Sequence, residues 1–465
     1  MFFDWLRFFR NADWQALLAE YALLQQRQKR IAGALELARH DSEHFIQAGT
    51  LPSAALRTLL DNLLTPRPNA TPVDAGWRLP APNPFLRPAP IAPVTAPMPV
   101  ALTLSPALAH VYGINALYLR WQIDSPLRDS LGHMLDQALQ GLCESARQGG
   151  VELGFSTCSN AWQLRCFGAH EAVAAVAEQA LIVLTAPQPE HWRACTHPKA
   201  AQPLLPIRQL LKQLPQYCLD AGPPRAEQPN PATVMEDLQH LWAGARWQGL
   251  ASGFCAENQT RLRAVLQAVP GQPGTFEPHT LPAHRSWHCL ELDAKEQALL
   301  LFCPAPDHSL AAQATWRLLA HLCHGPFYRR LRGELQLGYA VFSALRQLHG
   351  ITGLLFGVQS PRATCQEILQ YTSTFLDALP RYLADLPPKT LATERQALAA
   401  QFDEPSMANA DIAEWAWQSL LAGHSSADLQ LLQRSILRVD AAALQMAASQ
   451  LAQAQHGWLA LASSD

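Results

Sequence analysis

Arg332 and Tyr339 are the two side chains whose types and spacing point most directly to chemistry. They lie in the segment Phe327-Tyr328-Arg329-Arg330-Leu331-Arg332-Gly333-Glu334-Leu335-Gln336-Leu337-Gly338-Tyr339-Ala340-Val341. A guanidinium presents a rigid fork of N–H donors and a phenol presents one O–H. Together they suit the grip of a peptide carbonyl or of an oxyanion developing from it. They stand either side of Gln336-Leu337-Gly338, where a short basic helix runs into a strand, so both are expected to face one space. A surface arginine beside a sheet-edge tyrosine would leave the same letters.

A second candidate is His40-Asp41-Ser42-Glu43-His44, an H-x-x-E-H. On a helix the two imidazoles would share one face, as in zinc peptidases whose glutamate activates a bound water. Such a site needs a third protein ligand, a glutamate several tens of residues downstream. No glutamate falls between His44 and Cys143, and the next is Glu144. The surrounding ELARHDSEHFIQAG is polar. His40, Glu43 and His44 are therefore read as a solvated helix end, with no metal or other cofactor expected on this chain. The trios His191, Cys195, His197 and His321, Cys323, His324 lack a matching second pair, and are read as structural. There is no GxxxxGK[ST], no GxGxxG after a strand and no GxSxG.

The elements that must position Arg332 and Tyr339 form a repeated pattern. Residues 116–123 alternate as a strand, with Leu117, Leu119, Trp121 and Ile123 on one face. A helix over about 130–147, strands near 151–155 and 162–167, and a helix over about 170–184 follow. Further on, Gln297–Cys303 reads as a strand. A helix capped by Asp307 or Ser309 runs from there to His324 and is expected to stop at Gly325-Pro326. Strands near 339–345 and 353–358 then join at His349-Gly350, before a helix over about 363–379. The order strand, helix, hairpin, helix thus occurs twice, about 188 residues apart. The fold class expected is α+β, two duplicated units of antiparallel or mixed sheet packed with helices. In the first copy Glu144 and Val151 occupy the places of Arg332 and Tyr339. A purely structural pair would be expected in both copies.

Proline divides the chain. Eleven of its 36 prolines lie between Pro66 and Pro99, holding the backbone extended. Residues 1–78 read as a short helical remnant, with Asp13 capping a helix striped by Trp14, Leu17, Leu18, Tyr21 and Leu24, and a second helix over 54–64. Residues 79–105 read as a stiff crossing, 106–275 as the first α+β unit and 285–465 as the second. The tail from about 389 to 455 is helical by pattern, and Trp458–Leu461 is a closing strand. The helical remnant is too small for its own core and resembles the tail of a larger domain.

Composition narrows the function. The 465 residues are 49% hydrophobic and 16% charged, with a net charge of −3. Large cores are therefore expected, and no basic, aromatic-laced surface for nucleic acid. No apolar run reaches the ~18 residues of a membrane span. Charges sit within the first seven residues, and ten cysteines are scattered without a C-x-x-C, as in a reduced cytoplasmic protein.

The pattern L-R-x-x-x-Q-L-G-Y-x-V at 331–341, followed by a hairpin and GLLFGVQSP, resembles the C-terminal half of the pitrilysin/insulinase family of inverzincin metallopeptidases. The lead-in LPAPNPF at Leu79–Phe85 looks like that family's as well. LLLFCPAPD, FYRRLRGELQLGYAVFS and LLFGVQSP look most like the branch serving pyrroloquinoline quinone biosynthesis. The resemblance covers roughly residues 10–465, with Gly333, Glu334 and Leu335 departing from the usual letters but leaving the Arg–Tyr spacing intact. It implies a non-catalytic half that closes like a clamshell, with a catalytic N-terminal half, around a peptide. By motif position Arg332 and Tyr339 would reach across to the substrate at a Zn²⁺ held in that other half. The implied function is the substrate-cradling half of a zinc endopeptidase that processes a precursor peptide. The alternative is an inactive peptide-binding or assembly subunit of the same family. The implied partners are a catalytic half, covalent or separate, and a peptide, with no nucleic acid and no membrane. The zinc-site domain itself is not in the sequence, and residues 1–75 match only the end of the domain that follows it. A start inside a domain suggests a split or truncated product, and a sticky apolar face is expected where the other half would sit.

Overall fold

A computed structural model describes residues 2–31, 53–64, 77–79, 81–88, 96–111, 113–158, 160–189, 204–219, 229–230, 232–292, 294–424 and 428–464. The H-x-x-E-H at His40–His44 and the trio His191, Cys195, His197 lie outside the described residues.

Helices α1 (Phe2–Asn11), α2 (Gln15–Ile31) and α3 (Ser53–Leu64) form the N-terminal piece. Asp13 accepts from the Gln15 N–H at 3.0 Å at the start of α2, as a capping residue does. Only part of the expected stripe is buried: Trp14 packs with Leu6 and Leu60, but Tyr21 is exposed.

The first unit comprises β1 (Leu102–Ser105), β2 (Ile114–Gln122), α4 (Arg128–Gln148), β3 (Val151–Cys158), β4 (Ala161–Ala169) and α5 (His170–Thr185). It continues through α6 (Pro206–Leu219), α7 (Val234–Gly244), β5 (Arg246–Ser252), α8 (Ala256–Gln267) and β6 (Gln272–Pro273). The second unit comprises β7 (Arg285–Cys289), β8 (Gln297–Pro304), α9 (Leu310–Tyr328), β9 (Ala340–Leu348), β10 (Ile351–Ser360) and α10 (Cys365–Ala384). Then follow α11 (Pro388–Ala400), α12 (Asn409–Leu421), α13 (Leu429–Arg438), α14 (Ala441–Ala452) and β11 (Trp458–Ala462).

The two sheets have the same topology. The first runs β1-β5-β2-β4-β3, with β6 beside β5, and the second runs β7-β11-β8-β10-β9. Along each five-strand path the first pairing is parallel and the remaining three are antiparallel, and β6 joins β5 in parallel. This is the duplicated α+β fold that the repeated pattern predicts. The closing strand β11 is internal, between β7 and β8.

Strand β2 is buried on both faces, not on one. Leu117, Leu119 and Trp121 pack with helices of the first unit, whereas Ala116 and Tyr118 join the core of the second. Tyr118 stacks on Trp417 of α12 at 5.2 Å, and Trp417 Nε1 donates to Gln163 Oε1 at 3.0 Å. In return, α6 crosses from the first unit to the second sheet, where Ile207, Leu210 and Leu214 cover Ala298, Leu300 and Phe302. The two units thus share their cores.

The proline-rich crossing is anchored to the first unit. Phe85 and Leu86 are buried, and Arg27 of α2 donates to the carbonyls of Phe85, Leu86 and Gly149 at 2.6–2.8 Å.

Candidate functional site

Helix α9 is capped as expected: Ser309 Oγ accepts from the Ala312 N–H at 3.1 Å, while Asp307 accepts from the Ser309 N–H. The helix does not stop at Gly325-Pro326, and this is a correction. It continues to Tyr328 because Phe327 is fully buried, 5.1 Å from Phe356 and 5.2 Å from Phe375. That packing outweighs the single backbone donor that proline withholds.

The chain then widens into a π-helical turn over Arg329–Glu334. The Leu335 N–H reaches the Arg330 carbonyl five residues back at 3.0 Å, and the Leu337 N–H reaches the Leu331 carbonyl at 3.1 Å. Leu331 and Leu337 are buried on the core side of this turn, and Gln336 takes a left-handed φ of 52°. Such turns and such strain gather where a side chain must be aimed. At Gly338 a side chain has no room, since a Cβ would lie 2.1 Å from the Gln359 carbonyl oxygen. Tyr339 is the last residue before β9.

This backbone brings Arg332 and Tyr339 together. The Arg332 guanidinium carbon lies 4.8 Å from the Tyr339 ring centroid, and Nη1 donates to the Gly338 carbonyl at 2.9 Å. Tyr339 is 92% exposed, so its hydroxyl stands clear of the sheet. Tyr328, which the sequence reading passed over, lies with its ring centroid 5.6 Å from the same guanidinium. The available signal was its spacing, four residues before Arg332 on a helix.

The first unit has no counterpart. Its helix α4 ends at Gln148, with only Gly149 and Gly150 between it and β3, and Val151 is buried. Glu144 is exposed and paired with Arg147 at 2.7 Å, whose hydrogen bond holds its carboxyl below the usual range. The trio on α9 disperses: His321 bonds Glu394 at 2.8 Å, His324 meets the Ser343 carbonyl at 2.9 Å, and burial pushes the Cys323 thiol up. Among the described residues no group of three or more His, Cys, Asp or Glu side chains gathers to hold a metal ion. No described helix is long and apolar enough to cross a membrane.

Comparison with known proteins agrees with the fold. Residues 114–251 match the model of PQQ synthase PqqF, C-terminal lobe domain 3. Residues 318–417, which include the π turn, match PQQ synthase PqqF-like, C-terminal lobe domain 4. The chain is 41% identical to the coenzyme PQQ synthesis protein F of Pseudomonas syringae pv. tomato, over 99% of its length and 56% of that protein. It is also 41% identical to the protein of the same name from Pseudomonas putida, covering 57% of it. The chain thus spans just over half the length of these relatives. The fold is similar to the crystal structure of pitrilysin, with a TM-score of 0.64 and 15% identity over 99% of this chain and 59% of that one. With two sheets of one topology, matches to both lobe domains and the turn that carries Arg332 and Tyr339, the chain belongs to the pitrilysin/insulinase family, in its PqqF-type branch.

Proposed function

We propose that this chain is the substrate-cradling C-terminal half of a zinc metalloendopeptidase that processes a precursor peptide in pyrroloquinoline quinone biosynthesis. The observation that carries this reading is the Arg332–Tyr339 pair, aligned with each other, with Arg332 half-buried and Tyr339 open to solvent. A guanidinium and a phenol that water can still reach give little net attraction to a peptide, because water competes for their remaining donors. Their value rises when a second surface closes over them and excludes that water. A pre-aligned donor pair within reach of water is therefore what a half-site offers to a facing half. The names of the relatives support the pathway assigned here.

In the closed complex Arg332 holds a backbone carbonyl of the peptide, using N–H groups beyond the one given to Gly338. Tyr339 donates its hydroxyl to the oxyanion that develops at the scissile carbonyl. The Zn²⁺ belongs to the facing catalytic half, and this chain alone does not hydrolyse peptides. With that half supplied, Arg332→Ala and Tyr339→Phe each lower turnover by about 10–1,000-fold, the range for a single oxyanion donor. Unchanged turnover in either variant sinks the assignment. Tight capture of a precursor peptide with no turnover under any pairing would favour the inactive binding subunit instead.

A further inference from the structure

We propose that Tyr328 is a positioning residue that holds Arg332 in its substrate-facing orientation. The inference rests on the function proposed above and adds a member to its site. An arginine side chain has wide rotamer freedom, and most of that freedom must be lost before its fork meets a carbonyl squarely. Here three contacts restrain it: the Gly338 carbonyl at 2.9 Å, the Tyr339 ring at 4.8 Å and the Tyr328 ring at 5.6 Å. The first two come from the exit of the turn, and Tyr339 is itself required for substrate. Tyr328 is the contact that comes from the incoming helix.

Its own placement is firm. Its neighbour Phe327 is fully buried, and Tyr328 is 45% exposed at the last position of α9, so its ring is held at the surface by a fixed backbone. A ring four residues before an arginine on a regular helix lies one turn below it. The π turn begins at Arg329 and widens the path between Tyr328 and Arg332. It does so without breaking the contact, so both tyrosine rings meet one guanidinium. The positive charge over each ring face is favourable and needs no desolvated partner. Its effect is to fix the fork before the peptide arrives.

Two measurements test this. In the chain labelled with ¹⁵N-arginine, the Arg332 Nε–H resonance, assigned by its loss in Arg332→Lys, carries ring-current shifts from both tyrosines. Tyr328→Leu moves it toward the free-arginine position, and Tyr328→Phe, which keeps a ring, leaves it displaced. A resonance that does not move in Tyr328→Leu overturns the inference. In the peptidase assay with the catalytic half supplied, Tyr328→Leu lowers kcat by about 2–5-fold, the size of an exposed cation–π contact. KM stays near its starting value, Tyr328→Phe rescues, and Tyr328→Leu has no further effect once Arg332 is alanine. Independent, additive losses in the double variant overturn the inference while leaving the proposed function standing. If Arg332→Ala itself leaves turnover unchanged, the proposed function fails, and the resonance alone decides the role of Tyr328.

Discussion

At the scale of residues, Arg332 and Tyr339 were legible because their chemistry is written in their side chains and their spacing survives folding. Tyr328 was not, since an aromatic ring at helical spacing usually means core, and only the turn shows that this one faces a cation. Gly338 carries a sharper constraint than its place in a motif suggests. Gly338→Ala forces a methyl to within 2.1 Å of the Gln359 carbonyl oxygen unless the turn shifts. The expected cost is about 1–3 kcal/mol, read as a lower urea midpoint, together with loss of peptidase function through displacement of the Arg332 anchor. A wild-type midpoint in that variant contradicts the packing described. The motif at His40–His44 was set aside on the missing downstream glutamate and its polar surroundings. Elemental analysis of the purified chain is expected to find no zinc that depends on His44. About one zinc per chain, lost in His44→Ala, would overturn the half-enzyme reading.

At the scale of elements, the signals that held were those with a local cause. Ser309 caps α9 as expected, and the structure adds a reciprocal capping box of Thr364 and Glu367 at α10 that the sequence analysis did not single out. The left-handed pair His349 and Gly350, with φ of 50° and 87°, closes the β9–β10 hairpin as a two-residue turn. The expected stop at Gly325-Pro326 was overridden by burial of the very next residue, Phe327. The proline-rich crossing shows a similar override, because Arg27 fastens it from a distant helix. Arg27 is 7% exposed and supports three carbonyls that would otherwise lack it. Arg27→Leu is expected to cost about 3 kcal/mol, seen in thermal or urea unfolding. A loss under half of that would mean water replaces the guanidinium freely.

At the scale of the whole molecule, the two units meet along a seam that includes polar groups. Tyr118 donates to Glu414 at 3.2 Å, and Trp417 Nε1 donates to Gln163 at 3.0 Å. His349, at the hairpin tip, has an Nδ1 closed off from solvent, and burial lowers its pKa to about 3, with Arg120 and His279 adding to the effect. A histidine lowered in the folded state binds its proton more readily when unfolded. Its contribution is fully present above pH ~6.5 and is lost as pH falls from there toward about 3. The urea midpoint is therefore expected to drop between pH 7 and 5, and the slope to flatten in His349→Asn. An unchanged slope in that variant would remove His349 from the pH response.

The sequence by itself determined the duplicated α+β pattern, the caps, the hairpin turn and the Arg–Tyr motif. Each of these depends on residues close in the chain, where steric and hydrogen-bonding preferences act directly. Tertiary structure alone decided that β2 is buried on both faces, that α6 crosses to the other sheet, and that α9 overruns its proline. It also brought two tyrosine rings to one arginine. These outcomes are set by apolar surface that must find cover somewhere in three dimensions, and local sequence does not specify which distant element will provide it.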